Sequence, residues 1–284
     1  MTNCLTRKDS PYPHWQFVNI DSGDYLRIVP ERGGLITAWN CNGREVLYFD
    51  AERFQNKLAS VRGGIPVLFP ICGDLPGNYL CLPQGQFKIN QHGFARDMPW
   101  KIKSLEDEYG ILLCLSDSDK SKESFPFSFL IEMKILLIDN SLEIRISITN
   151  RGNETMPFSF GLHPYFLVKD LDHVLINGLP QKCINHIDKS EVVTKTQLQK
   201  LSKGVDFLSI SNEPITLIDS LEGSTLELHH QSPMNLTVIW TDPPRQMICL
   251  EPWTSPRESL ASGDRMLFLE PGASKELSCR FLSN

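Results

Sequence analysis

The most regular pattern in the chain has a period of two. Leu142, Ile144, Ile146 and Ile148 alternate with Glu143, Arg145, Ser147 and Thr149. Successive side chains of a strand point to opposite faces, so this run predicts a half-buried strand. The run 127–138 is apolar and partly alternating, with Glu132 and Lys134 on one face. Asp139-Asn140-Ser141 separates the two runs, and together they read as a hairpin. Further short strands are predicted at 15–20, 25–29, 35–40, 46–49, 111–116, 215–218, 225–229, 236–240, 247–250, 266–269 and 276–281, punctuated by Gly, Pro, Asn and Asp clusters. Helical windows are scarce, and 52–58 and 256–260 read as single short turns. The polar, weakly patterned stretch 188–204 reads as a surface excursion. These patterns predict an all-β protein, one large antiparallel β-sandwich over residues 1–284 with few short helices.

Composition narrows the class. Of 284 residues, 41% are hydrophobic and 22% charged, which excludes global disorder and makes a sizeable core feasible. The formal net charge of −6 argues against a nucleic-acid binder, which needs a basic face. There is no apolar run long enough for a transmembrane helix and no apolar segment near the N-terminus, so a cytoplasmic protein without membrane contact is expected. Eight cysteines lie at irregular spacings with no CxxC pair. They read as small buried apolar residues of a reducing compartment rather than zinc or redox ligands.

Four segments break the strand pattern with polar residues that a core does not need. In 61–70, Arg62 precedes Gly63 and Gly64; this is a surface turn or a cation aimed by sharply turned backbone. In 90–96, Gln91, His92 and Arg96 are either loop caps or contacts to the hydroxyls of a small polar ligand. His163, within 159–166, is either a satisfied core histidine or a tuned acid beside Tyr165. Glu251 follows an apolar strand and precedes Pro252 and Trp253. It is either an exposed strand-end carboxylate or a partly desolvated base. Phe69, Tyr165 and Trp253 offer flat apolar faces suited to the C–H side of a sugar. Metal binding is not expected. His92 and His163 are far apart in sequence, and His229-His230 point to opposite faces if they lie on a strand.

The segments RGGIPVLFP, QHGFARDMPW, FGLHPYF and EPW, in this order, resemble the aldose 1-epimerases, or mutarotases. Within that galactose-mutarotase-like superfamily, RGGIPVLFP and QHGFAR are most similar to the hexose-6-phosphate mutarotase branch. The chain departs from that branch at Trp253, where a glycine is usual, and at 241–244, where Asn-Pro-Trp is replaced by Thr-Asp-Pro-Pro. The Asn-His pair of the free-sugar galactose mutarotases is also absent. The resemblance implies a large antiparallel β-supersandwich. It implies a catalytic histidine at His163 and a catalytic glutamate at Glu251. It implies sugar-binding roles for Arg62, Gln91, His92 and Arg96, and for Asp206 on the few residues of GVDFL. The expected partner is a sugar or sugar phosphate, and the expected reaction needs no cofactor or metal. In it, Glu251 takes the anomeric proton while protonated His163 supplies the ring oxygen. A sugar-binding protein without turnover has no need of that pair. A glycosidase needs two flanking carboxylates, for which Asp206 is a weak second.

Overall fold

Alternation decides the architecture. In the computed structural model, which describes residues 4–105, 109–211 and 213–284, the predicted hairpin forms from Phe129–Ile138 and Ser141–Asn150. The two strands pair antiparallel from Phe129↔Asn150 to Ile138↔Ser141, with Asp139 in the left-handed region at the turn. Ile144, Ile146 and Ile148 are fully buried while Arg145 faces water.

This hairpin lies inside an eight-stranded antiparallel sheet. Its order is Val174–Asn177, Ile215–Asp219, Ser224–His230, Ser274–Ser283, Ser141–Asn150, Phe129–Ile138, Gly110–Ser116 and Lys101–Ser104. A second sheet runs Glu191–Val193, Lys182–Asn185, Asp206–Ile210, Leu236–Trp240, Met247–Trp253, Gly161–Leu162 and Val67–Leu68, and Tyr165–Leu167 also pairs with Met247–Trp253. The inner faces of the two sheets share one hydrophobic core. Phe166 of one sheet meets Phe281 of the other with ring centroids 5.3 Å apart. A five-stranded sheet from Cys4–Lys8 to Arg44–Glu45 packs alongside. Isolated bridges from Ile36, Leu47 and Phe49 join the chain there to Ile65, Phe166 and Gly63.

The strand Met247–Trp253 is buried at all seven positions. Ile248 and Leu250 enter the shared core, whereas Cys249 and Trp253 pack in separate clusters on the other face. Glu251 shares that second face by the period of two. It is therefore an interior strand residue, not an exposed strand end: the strand continues two residues beyond it.

Other expectations are corrected. The run 188–204 lies largely at the surface, as expected, but it carries regular structure. Glu191–Val193 pairs with Lys182–Asn185 as an edge strand, and Thr194–Leu198 forms a helix with Thr194 and Gln197 buried. Its polar composition concealed this, because an edge strand and a one-turn helix need few apolar positions. Residues 46–49 make isolated bridges rather than a ladder. The two helical turns appear as Ala51–Gln55, capped by the Asp50 side chain on the Arg53 N–H, and as Ser259–Ser262. The described cysteines are all free, and Cys81 is exposed rather than buried. No helix among the described residues is long and apolar enough to cross a membrane.

The hairpin core sets a first test. Ile146→Ala removes a fully buried side chain from the inter-sheet core. The expected loss of unfolding free energy is about 2–5 kcal/mol, read from the shift of the urea midpoint.

Candidate active site

The outer face of Met247–Trp253 forms the floor of a cavity of about 240 Å³. Arg62, Gln91, His92, Arg96, His163, Asp206 and Glu251 all line it, so the structure brings together every site residue expected from the sequence. The strand register explains part of this convergence. Glu251 pairs with Val238, Cys249 pairs with both Trp240 and Tyr165, and Asp206 lies opposite Trp240 on the next strand.

Glu251 is 1% exposed. Its Oε1 lies 3.4 Å from His163 Nε2, and its Oε2 accepts a hydrogen bond from Trp253 Nε1 at 3.2 Å. Burial, aided by the negative charge of Asp206, pushes the Glu251 carboxyl well above the usual carboxylate range. His163 sits in the short segment between Gly161–Leu162 and Tyr165–Leu167, with its backbone N–H on the Pro66 carbonyl. Its ring stacks on Tyr165 at 4.8 Å and meets the edge of Trp240 at 5.6 Å. Burial, then the nearby Arg96 guanidinium, lower its pKa to about 3. Both shifts favour the uncharged forms, a neutral imidazole and a carboxylic acid. The pair expected for proton exchange is an imidazolium and a carboxylate, and the surroundings act against both charges. The physical reason is desolvation, which penalises both charged forms. Moving the proton across the 3.4 Å contact converts one form into the other.

Asp206 has the opposite environment. His186 Nδ1 meets its Oδ1 at 2.7 Å, and Arg257 Nη2 donates to its Oδ2 at 3.2 Å. Burial raises its pKa, but the bond and charge of His186 and the charge of Arg257 outweigh this and hold it below the usual range. The two carboxyl groups of one pocket are thus shifted in opposite directions.

The turn carrying Gln91, His92 and Arg96 depends on Gly93. Its φ is +70°, and a Cβ there would lie 2.1 Å from the Phe69 carbonyl oxygen. His92 Nδ1 accepts the Gly73 N–H at 3.1 Å, which assigns the ring proton to Nε2. Burial, then the charges of His163 and Arg96, lower its pKa well below the ordinary value, so His92 is a neutral donor. Arg96 Nη2 donates to the Gln91 carbonyl at 2.8 Å. On the opposite wall Arg62 bonds Ser60 Oγ, stands 3.6 Å from Asp242 and lies over the Trp240 ring.

Sequence reasoning missed Trp240, His186 and Arg257. Trp240 ends an ordinary strand pattern, and the other two lie in segments without a motif; only the fold brings them to Asp206. Phe69 had been expected at the sugar face. It is fully buried instead, packed against Phe94, Phe125, Phe129 and Phe158.

One trio could approach a metal ion: the donor atoms of His163, Cys249 and Glu251 lie within 4.8 Å of one another. Burial raises the Cys249 thiol well above its ordinary pKa, which disfavours the thiolate a metal would need. A larger cavity of about 670 Å³ lies between Leu80, Phe127 and Phe268. Among the described residues it is lined by one carboxylate, Glu154, and no histidine, so acid–base chemistry points to the smaller site.

What the site can do is move one proton between two groups in contact, beside guanidinium, amide and imidazole donors and aromatic faces. Comparison with known proteins identifies the fold and the family. The Slr1438 protein from Synechocystis sp. PCC 6803 superposes with a TM-score of 0.91 and 34% identity, covering 100% of this chain and 99% of that one. A galactose mutarotase-like protein from Clostridium acetobutylicum has the same fold, with a TM-score of 0.81 and 18% identity over 99% of this chain and 98% of that one. A Cenchrus ciliaris protein named "Putative glucose-6-phosphate 1-epimerase" is 30% identical over 159 residues, 52% of this chain and 45% of that protein. The family model described as aldose 1-epimerase matches residues 16–282. A sheet floor carrying Glu251, a histidine in contact with it and a match over nearly the whole chain lead to one conclusion: the chain belongs to the aldose 1-epimerase family.

Proposed function

We propose that the chain is a mutarotase that interconverts the α and β anomers of an aldohexose, with His163 and Glu251 as its catalytic residues. The observation that carries this reading is the 3.4 Å contact between His163 Nε2 and Glu251 Oε1 at the pocket floor. The anomeric oxygen and the ring oxygen share one carbon, so two groups in contact can reach both. Glu251 takes the proton of the anomeric hydroxyl while His163 protonates the ring oxygen. The ring opens to the aldehyde, the C1–C2 bond rotates, and closure reverses both transfers. The pair starts and ends with one proton, so the cycle needs no co-reactant. Asp206, Gln91 and His92 hold the hydroxyls, while Tyr165 and Trp240 supply apolar surface. Acid–base assistance of this kind supplies about 10²–10⁴-fold.

We infer a hexose 6-phosphate as the substrate. Arg62 and Arg96 line one pocket and can meet a phosphate dianion with charge-assisted bonds. The name of the Cenchrus ciliaris relative supports the same reading.

His163→Ala and Glu251→Gln should each slow catalysed anomer exchange at least about a hundredfold, measured by polarimetry or NMR. Near-normal exchange in either would sink the assignment.

The kcat profile should be flat while the pair holds one proton. It should fall toward pH about 3, as a second proton reaches His163, and on the alkaline side once the raised pKa of Glu251 is passed. The same shifts act on stability. The unfolded chain binds a proton at this histidine that the folded chain refuses, so the His163 contribution is lost as pH falls from 6.5 toward about 3. Melting temperatures of His163→Ala should show a weaker acid-side decline than wild type.

With glucose 6-phosphate the wild type should show a higher kcat/KM than with free glucose or galactose. Arg96→Ala should erase most of that preference, about 10- to 100-fold for a lost charge-assisted bond. Equal use of the free sugars by the wild type would overturn the phosphate reading.

A further inference from the structure

Trp253 stands where the resembled branch usually has glycine, and it touches the proposed base directly. Its indole Nε1 lies 3.2 Å from Glu251 Oε2, and both side chains are 1% exposed. An indole N–H only donates, so the oxygen it meets must act as acceptor. A hydroxyl oxygen is a weaker acceptor than a carbonyl oxygen, so this bond favours placing a carboxyl proton on Oε1, the oxygen 3.4 Å from His163 Nε2.

The ring is held so that its N–H keeps this aim. His92 meets it edge-to-face at 5.7 Å, and His186 stacks on it at 6.1 Å with 24° between planes. Behind it runs Gly161, the register partner of Trp253. A Cβ on Gly161 would lie 2.6 Å from Trp253 Cδ1, so only glycine lets the indole lie flat there. The glycine of the GLHPYF segment thus serves the tryptophan rather than a turn.

We propose that Trp253 is a positioning residue for Glu251: its indole N–H anchors Oε2 and thereby makes Oε1 the oxygen that exchanges the proton. The inference rests on the acid–base reading of Glu251 given above. Several other groups bear on the same carboxyl. His163 and Tyr165 face it from one segment, and Asp206, Arg96 and Arg257 act on it through their charges. The buried thiols of Cys249 and Cys72 lie close enough to feel it. Of these, Trp253 is the one whose hydrogen bond holds Oε2.

The experiment replaces Trp253 by Phe and, separately, by the sulfur isostere benzothienylalanine, which keeps the ring shape and lacks the N–H. Losing a hydrogen bond to a charged group should lower kcat about tenfold or more with KM little changed. It should also move the alkaline limb of the kcat profile to higher pH, because the carboxylate loses a donor. If Trp253→Phe fails to fold, the isostere is read alone. Unchanged kcat and an unmoved limb in the isostere would overturn the proposal. So would a rise in KM at constant kcat, which marks a tryptophan that only stacks on the sugar. Should the wild type itself not catalyse exchange, the acid–base reading fails and the inference is read from ¹³C NMR titration of the Glu251 carboxyl, identified by its loss in Glu251→Gln. A higher titration midpoint in the isostere supports the proposal, and an unmoved one overturns it.

Discussion

The site depends on one constraint: the strand Met247–Trp253 is buried on both faces, yet its outer face carries a carboxyl group. Burying that group without partners would cost several kcal/mol. The structure meets the cost in three ways. The Glu251 carboxyl is shifted toward its protonated form, His163 is placed against one of its oxygens, and the Trp253 indole donates to the other. Each solution makes a further demand. His163 needs a flat neighbour, which is Tyr165, and Trp253 needs a neighbour without a side chain, which is Gly161.

Two carboxyl groups in one pocket are driven apart by their surroundings. Asp206 has a histidine on one oxygen and a guanidinium on the other, and it stays ionised. Glu251 is fully buried beside a neutral indole and a neutral imidazole, and burial with the repulsion of Asp206 pushes its pKa up. Such a separation is the usual physical basis for assigning different tasks to like groups. In the proposed reaction it would separate a carboxylate that accepts hydroxyl hydrogen bonds from a carboxyl that trades a proton.

The pocket walls come from segments distant in sequence, and backbone bonds fix their heights. The Asp50 N–H bonds the Arg62 carbonyl and the Gly64 N–H bonds the Tyr48 carbonyl, which ties the Arg62 turn to the chain that follows the five-stranded sheet. The Phe94 N–H bonds the Phe69 carbonyl and holds the turn of His92 against the second sheet. Both turns use glycine where the backbone approaches another chain segment closely. The positions of Arg62, Gln91, His92 and Arg96 around the pocket are thus set by main-chain geometry.

The sequence by itself determined the strands, because a period of two reports burial on one face whatever the tertiary partner is. The hairpin 127–150 and the antiparallel class follow from that alone. Motif order was equally local information, and it was enough to single out His163, Glu251, Arg62, Gln91, His92 and Arg96. Only the tertiary structure decided the rest. Which edge of the sheet residues 191–193 would join left no period in the sequence. That Phe69 lies in the core, while Trp240 lines the pocket, depends on which face of each strand is covered. Arg257 and His186 reach Asp206 across 51 and 20 residues of chain, and no spacing rule connects them. The pKa shifts of His163 and Glu251 were hidden for the same reason: a pKa is shifted by desolvation, and desolvation comes from atoms that the fold brings in from elsewhere.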